Sequence, residues 1–96
     1  MRCVLTYELP LSSSVIDMPA GAEVLSTRGY RGNIQVAALV DTEQRSVKRR
    51  FIVADTGIDV NPTMPFGSKR DFVGTVLIDY FGPALVVHVF DLGEIE

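Results

Sequence analysis

Asp55 is the residue with the most chemistry to offer. It follows the apolar run Phe51-Ile52-Val53-Ala54 and precedes Thr56-Gly57. If two copies of the chain paired with these turns facing each other across a two-fold axis, the two carboxylates would come together. Two carboxylates so close cannot both ionise, so the pair shares a proton and activates water. The same residues also suit an ordinary strand-ending turn, because Asp and Gly are favoured in turns. His88 is the one histidine and lies among valines and a phenylalanine in Val86-Val87-His88-Val89-Phe90. It is the side chain that titrates near neutrality, yet a general base needs a nucleophile or a water in reach. No such partner is identifiable from spacing, and a half-buried strand histidine is the simpler reading. Cys3 alternates with Leu5 and Tyr7 and reads as a small hydrophobe. One cysteine and one histidine make neither an internal disulfide nor a structural zinc site. The acids Asp55, Asp59 and Asp71 match no calcium loop.

The cations and one tyrosine point to binding rather than catalysis. Arg28 and Arg31 flank Tyr30, and Gly29 and Gly32 bound the group. Exposed aromatic residues beside arginine are typical of binding hot spots. Phe66, Lys69 and Arg70 close the long Gly- and Pro-containing stretch from Asp55 to Arg70, the other candidate binding segment. Loops that long are uncommon in compact domains and often functional. Lys48-Arg49-Arg50 reads either as a solvated edge strand, whose cations deter edge-to-edge pairing, or as a patch for an acidic or phosphate-bearing partner. No phosphate loop or dinucleotide fingerprint is present, so no cofactor is expected.

These residues must be held by strands. The apolar periodicity is two throughout. Cys3, Leu5, Tyr7 and Leu9 share one side of a strand that Pro10 ends. Val15 to Met18 is a short strand stopped by Pro19. Glu23 to Arg28 and Asn33 to Val40 form a hairpin across Gly29-Tyr30-Arg31-Gly32. In its second arm Ile34, Val36, Ala38 and Val40 share a face, and the apolar Ala37 and Leu39 opposite predict a strand covered on both sides. Val47 to Ala54 is the next strand. Phe72 to Tyr80 follows, with Phe72, Val76 and Ile78 on one side and a bulge at Gly74. Gly82-Pro83 turns the chain into Ala84 to Asp91, the most apolar strand and so the central one. A short acidic tail, Gly93 to Glu96, ends the sequence. The fold class is all-β, a small sandwich or barrel of about six or seven mostly antiparallel strands in one domain.

The chain has 96 residues, 47% hydrophobic and 22% charged, with a net charge of −3. That size suits one core without staples. The high apolar and low charged content leaves room for a homodimer or small homo-oligomer. The negative balance argues against bulk nucleic-acid binding, which requires phosphate neutralisation. The apolar run from Pro83 to Val87 is too short to cross a bilayer, and the first residues lack the apolar core of a signal peptide. A cytoplasmic location is expected.

Two resemblances bear on function. Asp55-Thr56-Gly57 after an apolar strand resembles the active-site turn of retropepsin-like aspartic proteases. In that family, however, the turn lies in the first third of the chain, and here it lies past the middle. The second resemblance covers most of the chain from Val15 to Phe90. Met18-Pro19-Ala20-Gly21-Ala22-Glu23-Val24-Leu25-Ser26, Ala38-Leu39-Val40-Asp41, Arg50-Phe51, Thr56-Gly57, Phe72-Val73-Gly74-Thr75-Val76 and Leu85-Val86-Val87-His88-Val89-Phe90 are similar to a family of short bacteriophage and prophage proteins. This implies a phage-encoded protein in the host cytoplasm, a compact β fold and no catalytic motif. The expected function is a small accessory protein that binds a macromolecular partner, with inhibition of a host defence protein as one purpose. Arg28, Tyr30, Arg31, Phe66, Lys69 and Arg70 are the candidate binding residues. The alternatives are a protease centred on Asp55 and sequestration of a small anionic ligand.

Overall fold

The computed structural model describes residues 1–56, 71–79 and 84–95. The expected Asp55 to Arg70 stretch is therefore described only at its first two residues, and the Gly82-Pro83 turn lies outside the described residues. Seven strands follow one another: β1 (Arg2–Leu9), β2 (Ser14–Pro19), β3 (Glu23–Tyr30), β4 (Asn33–Asp41), β5 (Ser46–Asp55), β6 (Phe72–Ile78) and β7 (Leu85–Ile95). They pair antiparallel in two sheets, ordered β1-β4-β3 and β2-β5-β7-β6.

The alternation in β4 explains the first sheet. Ile34, Val36, Ala38 and Val40 are all buried and face inward. Asn33, Gln35, Ala37 and Leu39 are only half-buried. The outer face is thus partly open to solvent, and the expectation of a strand covered on both sides is corrected. Beside β4, the register brings Cys3, Leu5, Tyr7 and Leu9 to the inner face. Burial pushes the Tyr7 hydroxyl above the usual phenol range, helped by the neighbouring Cys3.

In the second sheet β7 lies between β5 and β6, as its apolar composition requires. Val87 and Val89 are fully buried against Phe51, Val36 and Val76 within one continuous core. Val87→Ala is expected to cost about 1–3 kcal/mol from lost methyl groups and a residual cavity. Urea denaturation measures it, and a cost under about 0.5 kcal/mol, the surface range, would remove Val87 from the core.

Two bulges set the side-chain faces of this sheet. The β6–β7 register shifts between Phe72 and Gly74. The inserted residue reverses the parity of β6, so Phe72 stands away from Val76 and Ile78. Its ring instead meets Phe90 edge-on, with centroids 5.5 Å apart. This corrects the assignment of Phe72 to the side of Val76. The β5–β7 register shifts between Arg50 and Phe51, opposite Gly93 at φ +88°. Gly93 therefore serves a bulge rather than an ending. β7 continues to Ile95, and Gly93 and Glu94 belong to the sheet instead of a tail.

The two sheets meet most closely at β3 and β6. A Cβ on Gly29 would lie 2.8 Å from the Leu77 carbonyl oxygen, and one on Gly74 would lie 2.9 Å from Thr27 Cγ2. Only glycine permits that approach. On the opposite side, β2 touches the facing sheet more at β4 than at β1. Leu5 faces inward by register yet remains 38% exposed.

Candidate functional site

The tip of the β3–β4 hairpin is built from a two-residue connection. Tyr30 pairs with Asn33, leaving Arg31 and Gly32 between them. Both have positive φ, 51° and 84°. That is the type I′ pattern, whose twist matches the flanking strands. The glycine-bounded, four-residue connection expected from sequence is corrected accordingly. Gly29 belongs to β3, where its missing side chain admits β6, and only Gly32 is a turn glycine.

The register puts Arg28 and Tyr30 on the outer face of β3. The Arg28 guanidinium lies 5.5 Å from the centre of the Tyr30 ring, and that of Arg31 lies 5.2 Å from it. Two cations thus share one aromatic ring, each within cation–π range. Arg28 Nε also donates to Gln35 Oε1 at 2.8 Å. Asn33 Nδ2 donates to Glu8 Oε1 at 2.7 Å, so side chains span the sheet from β1 to the turn. A concavity of about 100 Å³ lies between the tip, from Gly29 to Gly32, and the end of β6, from Leu77 to Asp79. The arrangement offers two guanidinium groups and an aromatic face to a carboxylate or phosphate group.

Arg28, Tyr30 and Arg31 are therefore brought together. Phe66, Lys69 and Arg70 lie outside the described residues. The Lys48-Arg49-Arg50 triplet does not act as a unit. β5 lies between β2 and β7, so its reading as an edge strand is corrected. Lys48 Nζ meets Asp17 Oδ1 at 3.1 Å on the surface. Arg49 turns the other way into a half-closed clamp. Its Nε and Nη2 donate to the two Asp91 carboxylate oxygens at 2.9 and 2.8 Å. Its Nη1 donates to the Ala22 carbonyl oxygen at 2.8 Å. Glu94 completes the group by accepting from the Gly21 N–H at 2.8 Å.

Asp55 ends β5 opposite Val87. The next N–H, that of Thr56, donates to the Val86 carbonyl oxygen at 3.1 Å. Gly57 lies outside the described residues. His88 has partners that sequence did not supply. Thr56 Oγ1 lies 2.7 Å from Nε2, and Thr75 Oγ1 lies 2.9 Å from Nδ1. Thr75 is the cross-strand neighbour of His88, so the signal was available only once the strand register was known. Both ring nitrogens are engaged by threonine hydroxyl groups. Among the described residues no helix is long and apolar enough to cross a membrane.

No curated protein and no solved structure matches the chain. Residues 1–95 match the family described as a domain of unknown function (DUF7352), and the chain belongs to that family.

Proposed function

We propose that this family member is a small binding protein that contacts a macromolecular partner, most simply an acidic protein surface, through the tip of the β3–β4 hairpin. The observation that carries this reading is Arg31 at φ +51°. In the left-handed region a non-glycine side chain costs roughly 1–2 kcal/mol, and Asn, Asp or Gly is the usual occupant of that turn position. Such a cost persists where the side chain is wanted for something else. Here it stations a guanidinium beside Tyr30 and Arg28, at an exposed tip. The resemblance to phage proteins adds the expectation that the partner belongs to the host, as an inhibitor of a defence protein would require.

Arg31→Asn separates folding from binding. Asn tolerates positive φ, so the variant should gain about 0.5–1 kcal/mol and melt a few degrees higher than wild type. It should also lose the partner recovered from host lysate by wild type, as should Tyr30→Ala. Thermal melts beside quantitative pull-downs read both effects. A variant that melts lower, or that recovers the same proteins in the same amounts, refutes this use of the tip.

The Arg28–Tyr30–Arg31 group supports a second reading, capture of a small anion, although the adjacent concavity is lined by Arg31 and Asp79 rather than by both guanidinium groups. Calorimetric titration with inorganic phosphate tests it: saturable binding abolished by Arg31→Asn would favour a small ligand over a protein partner.

A further inference from the structure

Among the described residues, the sheets leave one long strand edge uncovered. β3 and β6 close on each other through Gly29 and Gly74. β2 is short and ends in Pro19, a residue that blunts an edge. β1 is different. It pairs with β4 over eight consecutive residues, with no register shift and no proline, and nothing among the described residues pairs with its other side.

Which groups face that free side follows from one hydrogen bond. The Thr42 N–H donates to the Met1 carbonyl oxygen at 2.9 Å. In an antiparallel ladder, residues alternate between bonding their partner strand and facing away. Met1, Cys3, Leu5, Tyr7 and Leu9 therefore bond towards β4. The N–H and C=O groups of Arg2, Val4, Thr6 and Glu8 point outward from the edge.

We infer that β1 pairs with β1 of a second copy, antiparallel about a two-fold axis at Leu5. The two three-stranded sheets then join into one. This register matches the partner's Glu8 to Arg2 and the partner's Thr6 to Val4, and all four are residues whose backbone groups face outward. Each end of the strand carries a charge, and the axis brings opposite charges together on the outer face. Arg2 is exposed and has no ionic partner among the described residues. Glu8 gives one oxygen to Asn33 and keeps the other for an incoming guanidinium. A slide by two residues in either direction preserves the hydrogen-bond pattern but separates Arg2 from Glu8. A slide by one sets bonded groups against outward-facing ones and cannot pair. On the inner face Leu5 meets its own copy across the axis, which covers the apolar side chain that β2 leaves 38% exposed. The inference is independent of the proposed binding function, because β1 and β3 are opposite edges of their sheet.

Sedimentation equilibrium from about 1 μM to 1 mM, a span that covers weak and moderate affinities, should show a monomer–dimer equilibrium. Arg2→Glu should weaken it at least tenfold by facing two carboxylates, and Arg2→Glu with Glu8→Arg should restore it. Thr6→Pro removes an outward N–H, which an edge strand tolerates, and should give a folded monomer by circular dichroism. If that variant unfolds, the charge pair still decides. In a Cys3→Ser background, Leu5→Cys should cross-link on mild oxidation, since directly opposed residues of this kind lie about 4.5 Å apart at Cα, within disulfide range. Thr6→Cys should not cross-link, because its opposite number is Val4. A wild type that stays monomeric throughout, a dimer indifferent to the charge reversal, or efficient cross-linking at Thr6 in place of Leu5 would each overturn the inference.

Discussion

Phe51→Ala is expected to cost about 4 kcal/mol, the upper range for emptying an aromatic site in a core. Phe51 is fully buried and is the largest side chain in the inter-sheet cluster. It also sits at the β5–β7 bulge, opposite Asp91. Collapse around the lost ring would have to distort a bulge already fixed by Gly93 at φ +88°. The site therefore relaxes poorly, and most of the cavity cost persists. A domain of this size has only about 5–15 kcal/mol in total. The melting temperature should fall by well over 10 °C, at roughly 4–8 °C per kcal/mol. Calorimetry or a urea titration measures it. A loss under about 2 kcal/mol, low for removing an aromatic ring, would mean that neighbouring side chains refill the space.

The second large effect belongs to Arg49. Its side chain is 12% exposed and that of Asp91 is 14% exposed, so water screens their bidentate pairing only weakly. Arg49→Met keeps the length of the stem and removes the fork. It leaves the Asp91 carboxylate with the Gly93 N–H at 2.9 Å and strips the Ala22 carbonyl oxygen of its Arg49 donor. Breaking a largely buried pair in this way costs about 3 kcal/mol. Much of that is the cost of an uncompensated charge rather than the worth of the pair. Arg49→Met with Asp91→Leu should therefore be less damaging than Arg49→Met alone. A double-mutant cycle by urea denaturation decides the point. Additive losses would show that the two side chains act separately.

The strands were legible in the sequence wherever one face is buried and no residue is inserted. Ile34, Val36, Ala38 and Val40 announce β4 because burial selects every second residue. Val86 to Val89 marks an interior strand because both of its neighbours shield it. Legibility failed at insertions. The bulge before Gly74 was visible in outline, but its effect on Phe72 was not, since one inserted residue reverses every face before it. Gly29 and Gly93 misled for a related reason. A glycine signals freedom of the backbone without saying whether that freedom serves a turn, a bulge or a close contact. The charges of Lys48 and Arg49 find Asp17 and Asp91, far away in the chain, and no local pattern reveals such partners. At the hairpin tip, Arg28, Tyr30 and Arg31 could be grouped because they are neighbours in sequence. The strained angle of Arg31 could not be foreseen, arginine being a residue that turn statistics do not place there.

The order in which strands enter the two sheets has a consequence in time. β1 joins one sheet, β2 the other, β3 and β4 the first again, and β5 to β7 the second. Neither sheet is a continuous piece of chain. The one pairing closed by a tight turn among the described residues, β3 with β4, makes an isolated hairpin, which is marginal in water. β6 and β7 also pair as consecutive strands, but the other sheet pairings, β1 with β4, β2 with β5 and β5 with β7, wait for distant segments to meet, and β7 supplies the strand that joins β5 to β6. Loop closure must precede the reward of burial, so folding belongs to the slow class of β proteins, in milliseconds to seconds. The chain has no stable half-way house. A nascent polypeptide lacking β7 exposes the apolar faces of β4 and β5 together, and that interval, rather than any weakness of the finished fold, is when the molecule is most exposed to aggregation.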